Sequence, residues 1–287
     1  MTIWKLAFTG PVSPLYAAAE RLEETEDRTR LSWSVFDDEN EITGALEILF
    51  DAAPDEKAIR QAISVSSDHD ARLIPLPEED WVKLSQAGLP PVIAGRFALH
   101  GSHDDAPDGH IAILIEAGPA FGTGHHGTTR GCLLAFDAML NDGTKPKRVL
   151  DVGTGTGALA IATAKVLPKA TILASDIDPD ATEEAARNAR TNGVGDAIDC
   201  FTAENFNHIK LIGAKFDLIF ANILAEPLVG LAPEISRALS PGGSVILSGL
   251  LIEQERAVRR AYEAQGLTVT ARPPLDGWAT LVAVRGF

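Results

Sequence analysis

Along the first 76 residues the apolar positions fall into short blocks of two periods. Residues 3–8, 31–36, 44–50 and 73–76 are brief apolar runs of the kind that form strands. Between them, residues 13–26 read as a helix with Ser13 as N-cap and Pro14 at the first helical position. Residues 55–65 set Ile59, Ala62 and Ile63 on one helical face. The order strand, helix, strand, strand, helix, strand predicts a small α+β ferredoxin-like domain over 1–76. Residues 77–108 read as a linker region with prolines at Pro77, Pro90 and Pro91, a short helix at 78–85, a strand at 92–98 and a polar, turn-rich loop. From 109 to 287 the pattern is α/β. Strands are predicted at 111–116, 148–151, 171–175, 198–201, 216–221 and 243–248, with helices at 126–140, 158–166, 179–192, 226–239 and 252–265. Residues 267–271 and 280–284 read as a closing hairpin. Near-continuous apolar strands separated by helices imply a doubly wound, mostly parallel sheet covered on both faces.

Composition narrows the function classes. With 45% hydrophobic residues over 287 positions, the chain can bury a core without a disulfide or metal staple. Cys132 and Cys200 lie far apart and match no zinc or redox spacing, which points to a reducing, cytoplasmic setting. No basic and apolar leader and no bilayer-length apolar run is visible, so no membrane association is expected. The chain carries 25 Lys and Arg against 40 Asp and Glu, a net charge of -15. That balance disfavours direct nucleic-acid binding, which relies on phosphate neutralisation, and favours encounter with a cationic partner.

The chemistry concentrates at VLDVGTGTGALAIA, residues 149–162. A strand ends at Val149 and Leu150, and Gly153, Gly155 and Gly157 turn the chain into a helix whose N-terminus offers free N–H groups. Gly153-x-Gly155-x-x-Ala158 alone suits either a dinucleotide or an adenosyl cofactor. Asp176, at the end of the next strand, suits both as a partner for ribose hydroxyls, the competing reading being a helix cap. Two features favour the adenosyl cofactor. Asp151 precedes the first glycine, where a carboxylate suits an ammonium group and not a pyrophosphate. FANILAEP, residues 220–227, ends the strand beside the cofactor crevice.

The ordered motifs AFGTGHHGTT, DVGTGTG, SDIDP and ANILAEPL resemble those of the ribosomal protein L11 methyltransferases, and the likeness extends over essentially the whole chain. The resemblance implies a seven-stranded, Rossmann-like sheet with one antiparallel strand inserted by the final hairpin. It also implies an N-terminal domain that recognises the ribosomal protein, a flexible linker, and S-adenosylmethionine as methyl donor. Carried onto this sequence, it implies cofactor contacts at Thr129, Gly153, Gly155, Asp176 and Asn222. Phe121, Gly122, Gly124 and His126 match a loop over the cofactor, and a monomer is implied. The chain departs from the family's usual Thr-His-Pro-Thr-Thr by having His125, His126, Gly127, Thr128 and Thr129.

Methyl transfer from a sulfonium asks mainly for alignment of an amine lone pair. Asn222 is the candidate catalytic residue, as an acceptor that orients the amine, and no general base is evident. His125 and His126 have no Cys or carboxylate neighbour in sequence, so no metal is expected. The acidic runs 20–27 and 37–41 read as solvated faces or, alternatively, as docking surfaces for a basic protein. Competing functions are methylation of another protein lysine or a small amine, nicotinamide-dependent oxidoreduction, and a binding module without catalysis.

Overall fold

The computed structural model describes residues 3–23, 30–37, 43–66, 69–76, 91–102, 106–115 and 127–287. The chain divides into two compact units, Met1–Ala87 and Gly88–Phe287.

In the first unit, β1 (Ile3–Pro11), α1 (Val12–Glu23), β2 (Arg30–Asp37), β3 (Thr43–Phe50), α2 (Glu56–Ala62) and β4 (Asp70–Leu76) follow one another. The strands pair in the order β2-β3-β1-β4, and each neighbouring pair is antiparallel. Alternation in β3 buries Leu46, Ile48 and Phe50 against Leu15, Ala18 and Leu22 of α1. The α1 helix starts one residue ahead of the expected cap Ser13, at Val12. Asp55 caps α2, its carboxylate accepting from the N–H groups of Lys57 and Ala58.

The second unit opens with β5 (Val92–Ala94), β6 (Phe97–His100) and β7 (Ile111–Leu114), a three-stranded sheet. The single strand expected over 92–98 is thus a hairpin, folded at Gly95 and Arg96 and held by an ion pair from Arg96 to Asp137. Then come α3 (Gly127–Asn141), β8 (Arg148–Val152), α4 (Ala158–Val166), β9 (Thr171–Asp176), α5 (Pro179–Thr191), β10 (Ile198–Thr202), β11 (Phe216–Asn222), α6 (Ala225–Ala238), β12 (Leu239–Leu251), α7 (Glu255–Glu263), β13 (Leu267–Ala271) and β14 (Trp278–Arg285). The expected helix over 252–265 is shorter because residues 252–254 form a 3-10 turn first. The short helix expected at 78–85 lies outside the described residues.

The seven strands pair in the order β10-β9-β8-β11-β12-β14-β13. The first five run parallel, while β14 is antiparallel to both of its neighbours. The order reverses between β8 and β11. Strand parity sorts the core into two layers. Val149, Leu218 and Phe220 pack under α3 and α4, whereas Leu150, Ile219 and Ala221 pack under α6 and α7. Phe136 of α3 anchors the first layer, stacked on Phe97 at 5.9 Å and edge-on to Phe220 at 5.4 Å. Removing such a buried ring typically costs about 3–5 kcal/mol. Among the described residues, no helix is long and apolar enough to cross a membrane.

Candidate active site

In a doubly wound sheet the ligand crevice lies beyond the carboxyl ends of the strands, where the order reverses. Here that point holds a cleft of about 630 Å³. Its walls are the loop after β8, the ends of β9 and β11, and the bend of β12, with Trp278 of β14.

The glycine loop is held to the neighbouring strand by its own main chain. The N–H groups of Gly153 and Thr154 both donate to Ser175 O, at 2.8 and 3.0 Å. Gly153 is left-handed at φ 67, and a Cβ there would overlap Cγ2 of Ile223. Only glycine satisfies both demands.

Asp176 stands in the cleft wall, with each carboxylate oxygen tied to one main-chain N–H. Oδ2 accepts from Gly155 at 2.9 Å and Oδ1 from Asp178 at 3.1 Å. The cap of α5 is the next acid along, Asp178, which accepts from Asp180 N–H at 2.9 Å. The capping alternative for Asp176 is therefore set aside. Each of its oxygens keeps a further lone pair for a ligand.

Asn222, the last residue of β11, also lines the cleft. Its Nδ2 donates to Thr129 Oγ1 at 3.3 Å, and its buried Oδ1 has no partner among the described residues. Thr129 itself is nearly enclosed, on the first turn of α3, and reaches the same wall. Thus Thr129, Gly153, Gly155, Asp176 and Asn222 converge on one space from four places in the chain.

Asp151 does not join them. It shares the parity of Val149 on β8, is 1% exposed and is not among the residues that line the cleft. Its Oδ2 accepts from Thr154 Oγ1 at 2.7 Å, while Oδ1 has no partner among the described residues. Burial pushes its pKa up to about 7, opposed by hydrogen bonds from Thr154 and Ala160 and reinforced by the charge of Asp176. The Thr154 hydrogen bond ties its carboxylate to the glycine loop.

Phe121, Gly122, Gly124, His125 and His126 lie outside the described residues. Among the described residues no group of His, Cys, Asp and Glu is placed to hold a metal. Sequence reasoning missed Ile177, Asn205, Leu224, Gly249 and Trp278, all of them in the cleft wall. Two had a local signal. Ile177 follows Asp176 directly, and Gly249 interrupts the apolar end of its strand, which marks a bulge or a close backbone approach.

A family model described as Ribosomal protein L11 methyltransferase (PrmA) matches residues 15–286. The chain is 47% identical over 241 residues to the ribosomal protein L11 methyltransferase of Bradyrhizobium diazoefficiens, covering 81% of this chain and 81% of the relative. It is 52% identical over 209 residues to that of Brucella suis, covering 72% of this chain and 73% of the relative. Among solved structures, it resembles the ribosomal protein L11 methylase of Lactobacillus delbrueckii subsp. bulgaricus, with TM-score 0.59 and 30% identity. That likeness covers 69% of this chain and 99% of the other.

Proposed function

The chain belongs to the ribosomal protein L11 methyltransferase family, and from that premise we propose that it moves methyl groups from S-adenosylmethionine to amino groups of ribosomal protein L11, on lysine side chains or the N-terminal amine. The observation that carries the cofactor half is the charge of the cleft. Among the described residues that line it, Asp176 and Asp178 are the charged ones, and both are acids. Such a wall suits a cationic adenosyl ligand and sets no cationic side chain of the described residues against a pyrophosphate, which favours the adenosyl donor over nicotinamide chemistry.

The residues fit the donor in detail. Asp176 retains lone pairs for two ribose hydroxyls, Ile177, Ala203 and Leu159 supply apolar surface for a purine, and glycine at 153 and 155 keeps the loop backbone open to a ligand. Bound there, S-adenosylmethionine supplies a methyl group on a positively charged sulfur that needs no further activation. What remains for the protein is to present a neutral amine in line with that carbon. A lysine titrates near 10.4 in water, and entry into a partly apolar cleft lowers that value toward the reactive form. The free Oδ1 of Asn222 accepts from the incoming amine and fixes its direction, while Thr129 holds the Asn222 amide. The amine nitrogen forms its bond to carbon as the carbon–sulfur bond breaks, and the extra proton leaves to water.

The remaining elements follow from the same reading. The first unit recognises the protein substrate, the segment after it links the two units, Asp151 orders the glycine loop, and Phe121 and Gly124 complete the cofactor site. The enzyme acts in the cytoplasm as a monomer and binds no nucleic acid directly.

The test is transfer of labelled methyl from S-adenosylmethionine to purified large-subunit ribosomal proteins. Label is expected on L11, and Asp176→Ala should weaken donor binding by about 10²-fold or more, since charge-assisted hydrogen bonds are worth about 1.5–3 kcal/mol each. Tight donor binding with label on another protein would retain the cofactor and overturn the substrate.

A further inference from the structure

β12 does not run straight past the cleft. Its ladder with β14 shifts register between Leu247 and Leu250, so Ser248 and Gly249 together oppose Thr280 alone. This is a β-bulge, and bulges re-aim what lies beside them. Ser248 Oγ closes the widened gap by donating to Ala279 O at 3.0 Å, with Thr280 Oγ1 at 3.3 Å. Gly249 takes the left-handed conformation at φ 84.

What lies beside the bulge is the catalytic strand. Asn222 of β11 pairs in register with Ser248, and the next residue, Ile223, passes over Gly249. A Cβ on Gly249 would stand 2.9 Å from Ile223 N and 2.7 Å from Ile223 C, and closer still to its carbonyl oxygen. These are main-chain atoms, which cannot swing aside as a side chain would. The Ile223 side chain, meanwhile, fills the space that Gly153 leaves open. Ile223 is thus seated between two glycines: its main chain against β12, its side chain against the glycine loop.

We propose that Gly249 is a positioning residue for methyl transfer, its bulge seating the Ile223 main chain and so fixing where the Asn222 amide stands in the cleft. The inference rests on the reading of Asn222 as the group that orients the amine. Asp176 and Gly155 are held through β9 and the glycine loop and not through β12, so the cofactor's ribose partners do not depend on this seat.

The full-length protein carrying Gly249→Ala tests it, with Gly266→Ala as control. Gly266 has nearly the same conformation, φ 81, but no atom of the described residues lies within 4 Å of a Cβ there, so it carries the backbone strain without the contact. Three quantities are read: kcat, KM for the donor, and the Asn222 side-chain amide resonance, assigned by its loss in Asn222→Asp. In Gly249→Ala, kcat should fall by about 10²-fold, the scale of a misplacement near 1 Å. Donor KM should stay within about threefold and the Asn222 resonance should shift. Gly266→Ala should lower the melting temperature and leave all three unchanged. Should Gly249→Ala fail to fold, Ser248→Ala removes the hydroxyl that pins the bulge without adding an atom, and should give a smaller kcat loss with the same resonance shift. An unmoved Asn222 resonance, an equal kcat loss in the control, or parallel loss of kcat and donor affinity overturns the proposal. If the wild type transfers no methyl to L11, the substrate reading fails by itself. The resonance then decides alone, a shift supporting the Gly249 seat and no shift overturning it.

Discussion

Asp151 and Asp176 end adjacent parallel strands, yet the chain puts them to opposite uses. Asp176 sits at the cleft with both oxygens bonded to main-chain N–H groups. Asp151 is fully buried, with one oxygen unpartnered among the described residues and its pKa pushed up to about 7. Below pH 3.8 the group is protonated in both the folded and unfolded chain and costs nothing. Between 3.8 and about 7 the unfolded chain has lost the proton while the folded chain keeps it, so stability falls as pH rises, and above 7 the penalty is constant. Asp151→Asn removes that charge and keeps the shape. The stability gain of the variant over the wild type should be small near pH 4.5, grow through pH 7, and level off at a magnitude on the order of 1–4 kcal/mol. Denaturant unfolding of both proteins across that range measures it. A difference that does not change with pH would mean that Asp151 is not buried as an acid. The sequence made both acids visible as neighbours of a glycine loop. It did not contain what separates them, since Val149 and Asp151 share a face and, through the β8–β9 register, so does Asp176, and alternation alone does not tell which carboxylate reaches the cleft.

At the scale of elements, α5 ties three parts of the second unit together. Its N-terminus is capped by Asp178, beside Asp176. Midway, buried Asn188 donates to Thr156 O of the glycine loop at 2.9 Å. Past its last residue, Asn192 grips the end of β7. Oδ1 accepts from Leu114 N–H at 2.9 Å, and Nδ2 donates to Leu114 O at 2.7 Å and to Asn188 O at 2.9 Å. A strand end that finds its partners in one amide side chain loses both at once when that side chain is cut. Asn192→Ala should cost about 1–3 kcal/mol, with the denaturant midpoint lowered and the m-value unchanged. Amide exchange at Leu114 should quicken more than at Leu150 in the sheet centre, and equal acceleration at the two sites would show that the loss is global. The helix itself was legible, because proline at its first position and alanine spacing mark it. The grip on β7 was not, since a side-chain pair spanning 78 residues leaves no period in the sequence. The β5–β6 hairpin escaped for a local reason: an apolar run interrupted only by Gly95 and Arg96 looks like one strand until the turn is seen.

For the molecule as a whole, alternation of strands and helices made the doubly wound class readable, with the insertion of β14 between β12 and β13 implied by family resemblance alone. Apolar strands look alike, and nothing in their own residues says which neighbour each pairs with. Net charge is likewise a property of the whole chain, and it bears on the proposed substrate. A protein that packs on ribosomal RNA must neutralise phosphates and is therefore basic, while this chain carries -15. Opposite charge spread over two surfaces raises the encounter rate and is screened once the Debye length falls from about 10 Å at 0.1 M toward 3 Å at 1 M salt. The donor site is different, a concave cleft in which the partly buried Asp176 is held by two main-chain N–H groups, where screening acts less strongly than on an exposed surface. Raising salt from roughly 0.05 to 0.5 M should therefore increase KM for L11 by about tenfold, while kcat and the KM for S-adenosylmethionine change less than about twofold. Initial-rate titrations of each substrate at fixed, saturating levels of the other separate the two. A KM for L11 that does not respond to salt would assign the docking of the protein substrate to apolar or hydrogen-bonded contacts and leave the acidic surface with solubility as its role.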